Sequence, residues 1–160
     1  MCPGRDSRVF VEKYGFKCSG IDRCSELLDI AKMKSPKTIF FNTDIRDLGY
    51  FEDESFEGIW SCASLVHIPH CEVPSLLKQS FRILTNSGVF FVSVKKGIGE
   101  ELKGDPRYND CEKFWNYFQK GEWEERLEEQ GFRILSTNSS EKSNDYQTHD
   151  FINIFVTKYN

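Results

Sequence analysis

The sequence predicts a layered α/β fold: a mainly parallel sheet, helices on both faces and an antiparallel last strand. Three observations predict it. Short apolar runs alternate with segments of helical periodicity along the chain. The run Val89–Val94 is continuously apolar except for Ser93, as in a central strand buried on both faces. The final run, Phe151–Thr157, alternates one set of side chains (Phe151, Asn153, Phe155) with another (Ile152, Ile154, Val156), which suits a strand paired in a hairpin with its predecessor.

The elements follow in order. Asp6–Tyr14 reads as a short helix capped by Asp6 or Ser7 and ended by Gly15. A strand runs from Phe16 to Asp22. Cys24, Leu27, Leu28 and Ala31 then recur at helical spacing, and Ser35-Pro36 closes that helix. Thr38–Phe41 is a strand leading into Asn42-Thr43-Asp44-Ile45, and Phe56–Ala63 a buried strand. Leu76, Leu77, Ser80, Ile83 and Leu84 form a second apolar stripe, after which Asn86-Ser87-Gly88 turns the chain. Gly97–Asp110 is polar and glycine-bearing, a loop over one rim of the sheet. Phe114, Trp115, Tyr117 and Phe118 either line a substrate pocket or pack in the core from a helix, the commoner use of such a cluster. Trp123 and Leu127 share a helical face stopped by Gly131, and Phe132–Leu135 is a strand. Ser136–His149 reads as a mobile polar connection. With no repeat or linker, residues 1–160 are expected to form one domain.

At 160 residues, with 39% hydrophobic and 14% aromatic content, the chain can bury a real core. A formal charge of −4 gives no electrostatic footprint for nucleic acid or an anionic membrane. Lys95-Lys96 is too short to be a basic patch. No apolar run approaches the roughly 20 residues that span a bilayer, and no basic stretch followed by an apolar one opens the chain. The expected location is the cytoplasm. Six cysteines occur without a CxxC pair, and the nearest approach to a metal cluster is Cys62, His67, His70 and Cys71. Structural zinc needs paired ligands on tight turns, so reduced thiols and no metal are expected.

Against this frame several segments resemble the class I S-adenosylmethionine-dependent methyltransferases, a Rossmann-like family. Cys2-Pro3-Gly4-Arg5-Asp6-Ser7 resembles the end of their GxGxG loop. Gly20-Ile21-Asp22, ending 18 positions after Gly4, resembles their acidic-ended second strand. Asn42-Thr43-Asp44-Ile45 resembles the acidic motif after the third strand. Ser55–Trp60 followed by Ala63–Pro69 is similar to the fourth strand and its loop. Arg82–Phe90 resembles the RxLxxGG signature, with Ser87 in place of the first glycine.

The resemblance spans almost the whole chain and implies S-adenosylmethionine as cofactor. Gly4 would leave room for its methionine half, and Arg5 would pair with its carboxylate. Asp22, with Arg23 beside it, would take the ribose hydroxyls. Asp44 would accept from the adenine amino group, the Ile45 amide would serve a ring nitrogen, and Ala63 would border the cofactor after the fourth strand. The implied reaction is methyl transfer to a small-molecule O, N or S nucleophile, in which the protein chiefly aligns the reactants and excludes water. His67 is the candidate base.

Plainer roles stand beside these. Asp22 is placed to cap the next helix, Asp44 to sit in a turn, Gly4 to open a helix, and His67 to orient its loop through a backbone hydrogen bond. The family's first strand and two of its glycines have no counterpart, so the resemblance is to an N-terminally truncated domain, and Cys2 stands where a glycine adjoins the cofactor. The chain is then a piece of a longer one, or the strands flanking the absent one pair directly, or a partner chain supplies the strand. The rival function is a catalytically inactive relative kept as an interaction module. A nicotinamide-dependent oxidoreductase shares the Asp22 logic, but it explains neither Asp44 nor the antiparallel last strand, and GxGxxG is absent.

Overall fold

The computed structural model describes residues 3–105, 111–140 and 150–159. The chain divides into two compact units, Met1–Tyr50 and Phe51–Asn160.

The first unit opens with α1 (Arg5–Tyr14), flanked by Gly4 and Gly15 in left-handed conformations, with φ of 73° and 71°. Gly15 stops the helix as its position in the sequence suggests, but the entry differs. Gly4 is the capping residue, not Asp6 or Ser7, and no side chain accepts from the first-turn amides. The Ser7 hydroxyl instead donates to the Gly4 carbonyl at 3.2 Å. A Cβ on Gly4 would lie 2.9 Å from the Ala31 carbonyl oxygen, so tertiary packing as well as the left-handed backbone requires glycine there. A βαβ unit follows: β1 (Ser19–Asp22), α2 (Ser25–Lys34) and β2 (Ile39–Asn42). The strands pair in parallel, with Ser19 opposite Ile39 and Asp22 opposite Asn42. Of its expected stripe α2 buries Leu28 and Ala31 but leaves Leu27 exposed.

The second unit begins with β3 (Phe56–Cys62), a 3₁₀ turn over Leu65–His67, α3 (Val73–Ile83) and β4 (Leu84–Lys96). It continues with β5 (Glu100–Asp105), β6 (Cys111–Phe118), α4 (Lys120–Glu129), β7 (Phe132–Ser140) and β8 (Phe151–Lys158). Pro74 in the first turn of α3 is preset for a helix, and Leu76, Leu77, Ser80 and Ile83 bury one face of it. The core gathers alternate residues of the central strands, Phe90, Val92 and Val94 from β4 with Ile152, Ile154 and Val156 from β8. Trp123 and Leu127 of α4 are buried as well.

The result is a mixed, Rossmann-like α/β arrangement. Pairs β1–β2, β3–β4 and β4–β6 are parallel, while β4–β8, β7–β8 and β5–β6 are antiparallel. The β7–β8 hairpin matches the alternation of the last strand. The β5–β6 hairpin does not match the expected loop over Gly97–Asp110: β5 occupies its middle, and 106–110 lie outside the described residues. The aromatic run expected on a helix is the strand β6. Its side chains alternate, Trp115 and Tyr117 against Phe114, Asn116 and Phe118, and bulky aromatics suit a pleated strand. Residues 136–140, expected in a polar connection, extend β7 as an edge strand whose hydrogen bonds come from β8; 141–149 lie outside the described residues. Within the first unit β1 pairs with β2, and within the second β3 pairs with β4.

Candidate functional site

Asp22 closes β1 at its carboxyl end. Its Oδ1 accepts from the Cys24 amide at 2.9 Å, fixing the turn into α2. That is the plainer role, and it leaves Oδ2 without a partner among the described residues. The Thr43 amide and the Asn42 side-chain amide both donate to the Asp22 carbonyl, at 3.2 and 3.0 Å, and tie the two strand ends together.

Asp44 lies two residues beyond β2 at the same end. Its Oδ1 accepts from the Arg46 amide and Nε, both at 2.9 Å, and its Oδ2 from Arg46 Nη2 at 2.7 Å. Arg23 Nη1 stands 3.9 Å from Oδ2. The Arg46 hydrogen bonds outweigh the effect of partial burial and hold the Asp44 carboxyl at about 2. A depressed carboxylate adds stability above its ordinary pKa near 4, which is lost as pH falls towards 2. Arg46→Ala should return Asp44 to the ordinary carboxylate range in an NMR titration. An unmoved pKa would contradict the bidentate pair as its cause. The Ile45 amide has no acceptor among the described residues.

These two acceptors and one donor therefore fit a ribose and an adenine edge: a half-free carboxylate on Asp22, an ionised Asp44 and an open amide at Ile45. Arg5 differs, since its Nε donates to Asp6 at 2.6 Å and its side chain is exposed. Cys2 lies outside the described residues. A recess of about 370 Å³ in this unit lies at the amino end of the strands, beside Phe16, Cys18 and Ile39, away from the acidic pair.

In the second unit Ala63 follows β3 with φ of 55°, and its amide donates to the Ser93 carbonyl at 3.0 Å. A left-handed alanine costs about 1 kcal/mol, so Ala63→Gly should leave stability in denaturant unfolding unchanged or raised by up to about 1 kcal/mol. A clear loss would mean that the methyl's packing on the cluster of Val66, Trp115 and Tyr117 outweighs the strain.

His67 ends the 3₁₀ turn with Nδ1 2.8 Å from the Phe114 carbonyl. A carbonyl only accepts, so Nδ1 carries the proton in the neutral ring and Nε2 the lone pair. The orienting role and a base role are thus compatible. The imidazole lies 4.6 Å from the Trp115 ring and keeps an exposed side. Burial lowers its pKa, the Lys113 and Lys95 charges act in the same sense, and the Phe114 hydrogen bond opposes them.

Two groups in contact with these residues were not singled out in the sequence: Arg46 on Asp44 in the first unit, and Lys95 on Trp115 in the second. Lys95 is buried, and its Nζ lies 3.3 Å from the Trp115 ring centre and 5.7 Å from that of Tyr117. The Tyr117 hydroxyl donates to Glu101 at 2.6 Å; burial first, then this bond, raises its pKa. A recess of about 320 Å³ opens beside Tyr117, Glu100, Glu101 and Ile98. The signal for Arg46 was its place two residues after Asp44. For Lys95 it was a cation at the end of an apolar strand. Among the described residues no three His, Cys, Asp or Glu side chains gather around a metal position.

A sequence profile of the methyltransferase domain family matches residues 1–92, more than half of the chain. The chain belongs to that family; it is a class I S-adenosylmethionine-dependent methyltransferase domain. No curated protein matches it. Among solved structures, a SAM-dependent methyltransferase from Methanosarcina mazei is 20% identical, with a TM-score of 0.80 over 91% of this chain and 84% of that one. The Burkholderia thailandensis 1,6-didemethyltoxoflavin-N1-methyltransferase, bound to 1,6-didemethyltoxoflavin and S-adenosylhomocysteine, is 18% identical, with a TM-score of 0.77 over 99% and 68%. The protein complexed with the Haloferax volcanii Trm112 methyltransferase activator is 15% identical, with a TM-score of 0.76 over 99% and 79%. At these identities the likeness is one of fold. Among the described residues no helix is long and apolar enough to cross a membrane.

Proposed function

We propose that this chain, acting as one cytoplasmic domain, transfers the methyl group of S-adenosylmethionine to an O, N or S nucleophile on a small molecule. The observation that carries the reading is the placement of Asp22 and Asp44 at the carboxyl ends of adjacent parallel strands, where ligands bind in α/β sheets. Asp22 takes the ribose hydroxyls through its half-free carboxylate, with Arg23 at the rim. Asp44 accepts from the adenine amino group, and the Ile45 amide donates to a ring nitrogen. Gly4 leaves room for the methionine half, and Arg5 exchanges Asp6 for the methionine carboxylate.

When bound, the cofactor supplies a methyl group already activated on a sulfonium. His67 receives the acceptor's proton at Nε2. The Burkholderia 1,6-didemethyltoxoflavin-N1-methyltransferase, with 1,6-didemethyltoxoflavin bound, supports the acceptor class. A partner chain is part of this reading, and the Haloferax complex is a precedent for one.

Calorimetry with S-adenosylhomocysteine, with NAD as the comparison, tests the reading. Heat of binding with the first ligand alone is expected. Silence with both would favour the inactive relative.

A further inference from the structure

We infer that the recess at the amino ends of β1 and β2 is a second ligand site, which takes a small aromatic carboxylate. It lies wholly within the first unit and does not depend on the methyltransferase reading. Val11 of α1, Gly15 to Cys18 ahead of β1, and Lys37 with Ile39 at the start of β2 line about 370 Å³. That volume falls within the range of small-molecule sites. Strand pairing gathers these residues. β1 and β2 are parallel with Ser19 opposite Ile39, and Lys17 and Lys37 each stand two positions ahead of that pair. Both lysines therefore arrive at the same end.

Charge is the first feature that selects the ligand. Lys17 and Lys37 have no hydrogen-bond or ion-pair partner for their side chains among the described residues. By contrast Arg8, Arg23, Lys32 and Arg46 of the same unit each stand against a carboxylate. No carboxylate lines the recess, and burial raises the pKa of the Cys18 thiol, which keeps it uncharged. An anion between the two ammonium groups offsets their repulsion, and a carboxylate has an oxygen for each. A cationic amine would meet two like charges. The second feature is an aromatic wall. The exposed Phe16 ring lies 6.1 Å from that of Phe10 and 6.0 Å from that of Tyr14, between centroids. A ligand ring seated there covers Phe16 and the exposed Ile39, apolar surface that a bare phosphate would leave in water. The recess touches only the first residues of two strands, which suits one ring and its carboxylate. The length of β1 sets it about 10 Å from Asp22, so both sites can fill together.

Indole-3-acetate is the probe, titrated into the full chain to about 10 mM, with the Cys18 and Ile39 amide signals followed by NMR. Indole-3-acetamide is the neutral comparison, tryptamine the cationic one and inorganic phosphate the anion without a ring. The carboxylate should shift both signals. It should bind about tenfold more tightly than the amide, because two exposed ion pairs contribute about threefold each, and added salt should weaken it. Tryptamine and phosphate should bind more weakly than indole-3-acetate. Lys17→Ala and Lys37→Ala, both at exposed positions, should each cost about threefold and together about tenfold, while Lys17→Arg should keep the affinity. Saturation with S-adenosylhomocysteine should leave the titration unchanged. Silent Cys18 and Ile39 signals, equal binding of acetate and acetamide, or an affinity untouched in the double variant would overturn the site. Phosphate binding as tightly as indole-3-acetate would overturn the aromatic ligand class. Displacement by S-adenosylhomocysteine would place the probe in the cofactor's site and overturn the second one.

Discussion

Asp22→Asn is expected to weaken S-adenosylhomocysteine binding about a hundredfold while the fold stays intact. In the proposed site the carboxylate has two jobs. Its Oδ1 accepts from the Cys24 amide at 2.9 Å, and its Oδ2 is left for ribose hydroxyls. Asparagine keeps an oxygen for the Cys24 amide and loses the charge. Hydrogen bonds to a charged acceptor contribute about 1.5–3 kcal/mol each and neutral ones about 1. The charge on two hydroxyl contacts therefore accounts for about 2–3 kcal/mol, or roughly a hundredfold in affinity. Asp22→Ala would confuse the two jobs, because it also removes the turn contact. Calorimetry of the asparagine variant beside a thermal melt separates them. Unchanged affinity in a folded Asp22→Asn protein would leave Asp22 as a turn residue only.

Trp123→Ala should cost about 3–5 kcal/mol of stability, and Trp123→Phe far less. Trp123 is the largest of the fully buried side chains, and removing so much buried volume falls in the costliest class of core substitution. Its ring centroid lies 4.5 Å from that of Phe118, which lies 4.7 Å from His70. The indole thus braces β6 against the loop that follows His67. Asn116 adds a second brace by donating to the Ile68 carbonyl at 2.6 Å. The indole Nε1 has no hydrogen-bond partner among the described residues. Phenylalanine would therefore remove a buried unsatisfied donor along with some volume, and the two effects offset. Urea unfolding of both variants checks this. Equal losses would show that the indole N–H is satisfied in solution.

What was legible in the sequence was local. Asp22 and Asp44 each end a short apolar run, so strand ends, spacing and charge could be read together without tertiary information. The stripes of α3 and α4 were legible because amphipathic periodicity is written in neighbouring residues. β6 was not, since Phe114–Phe118 is too short and too uniformly aromatic to show whether its period is 2 or 3.6. The entry to α1 was misread for a tertiary reason: Gly4 approaches the Ala31 backbone too closely for a side chain, and no capping residue nearby reveals that contact. Lys95 reaches the Trp115 and Tyr117 rings through the β4–β6 pairing, which joins positions 22 residues apart at Lys95 and Tyr117. Arg46 lay within reach of a local reading, but nothing in the sequence said that it would close a bidentate pair on Asp44 rather than point to solvent.

The most direct test of the central claim, that S-adenosylmethionine sits at the carboxyl ends of β1 and β2, is a crystal structure of the chain grown with S-adenosylhomocysteine. The account expects both ribose hydroxyls within hydrogen-bonding distance of the Asp22 carboxylate, the adenine amino group on Asp44 and a ring nitrogen on the Ile45 amide. A ribose placed elsewhere, with Asp22 bonded only to the Cys24 amide, would contradict it.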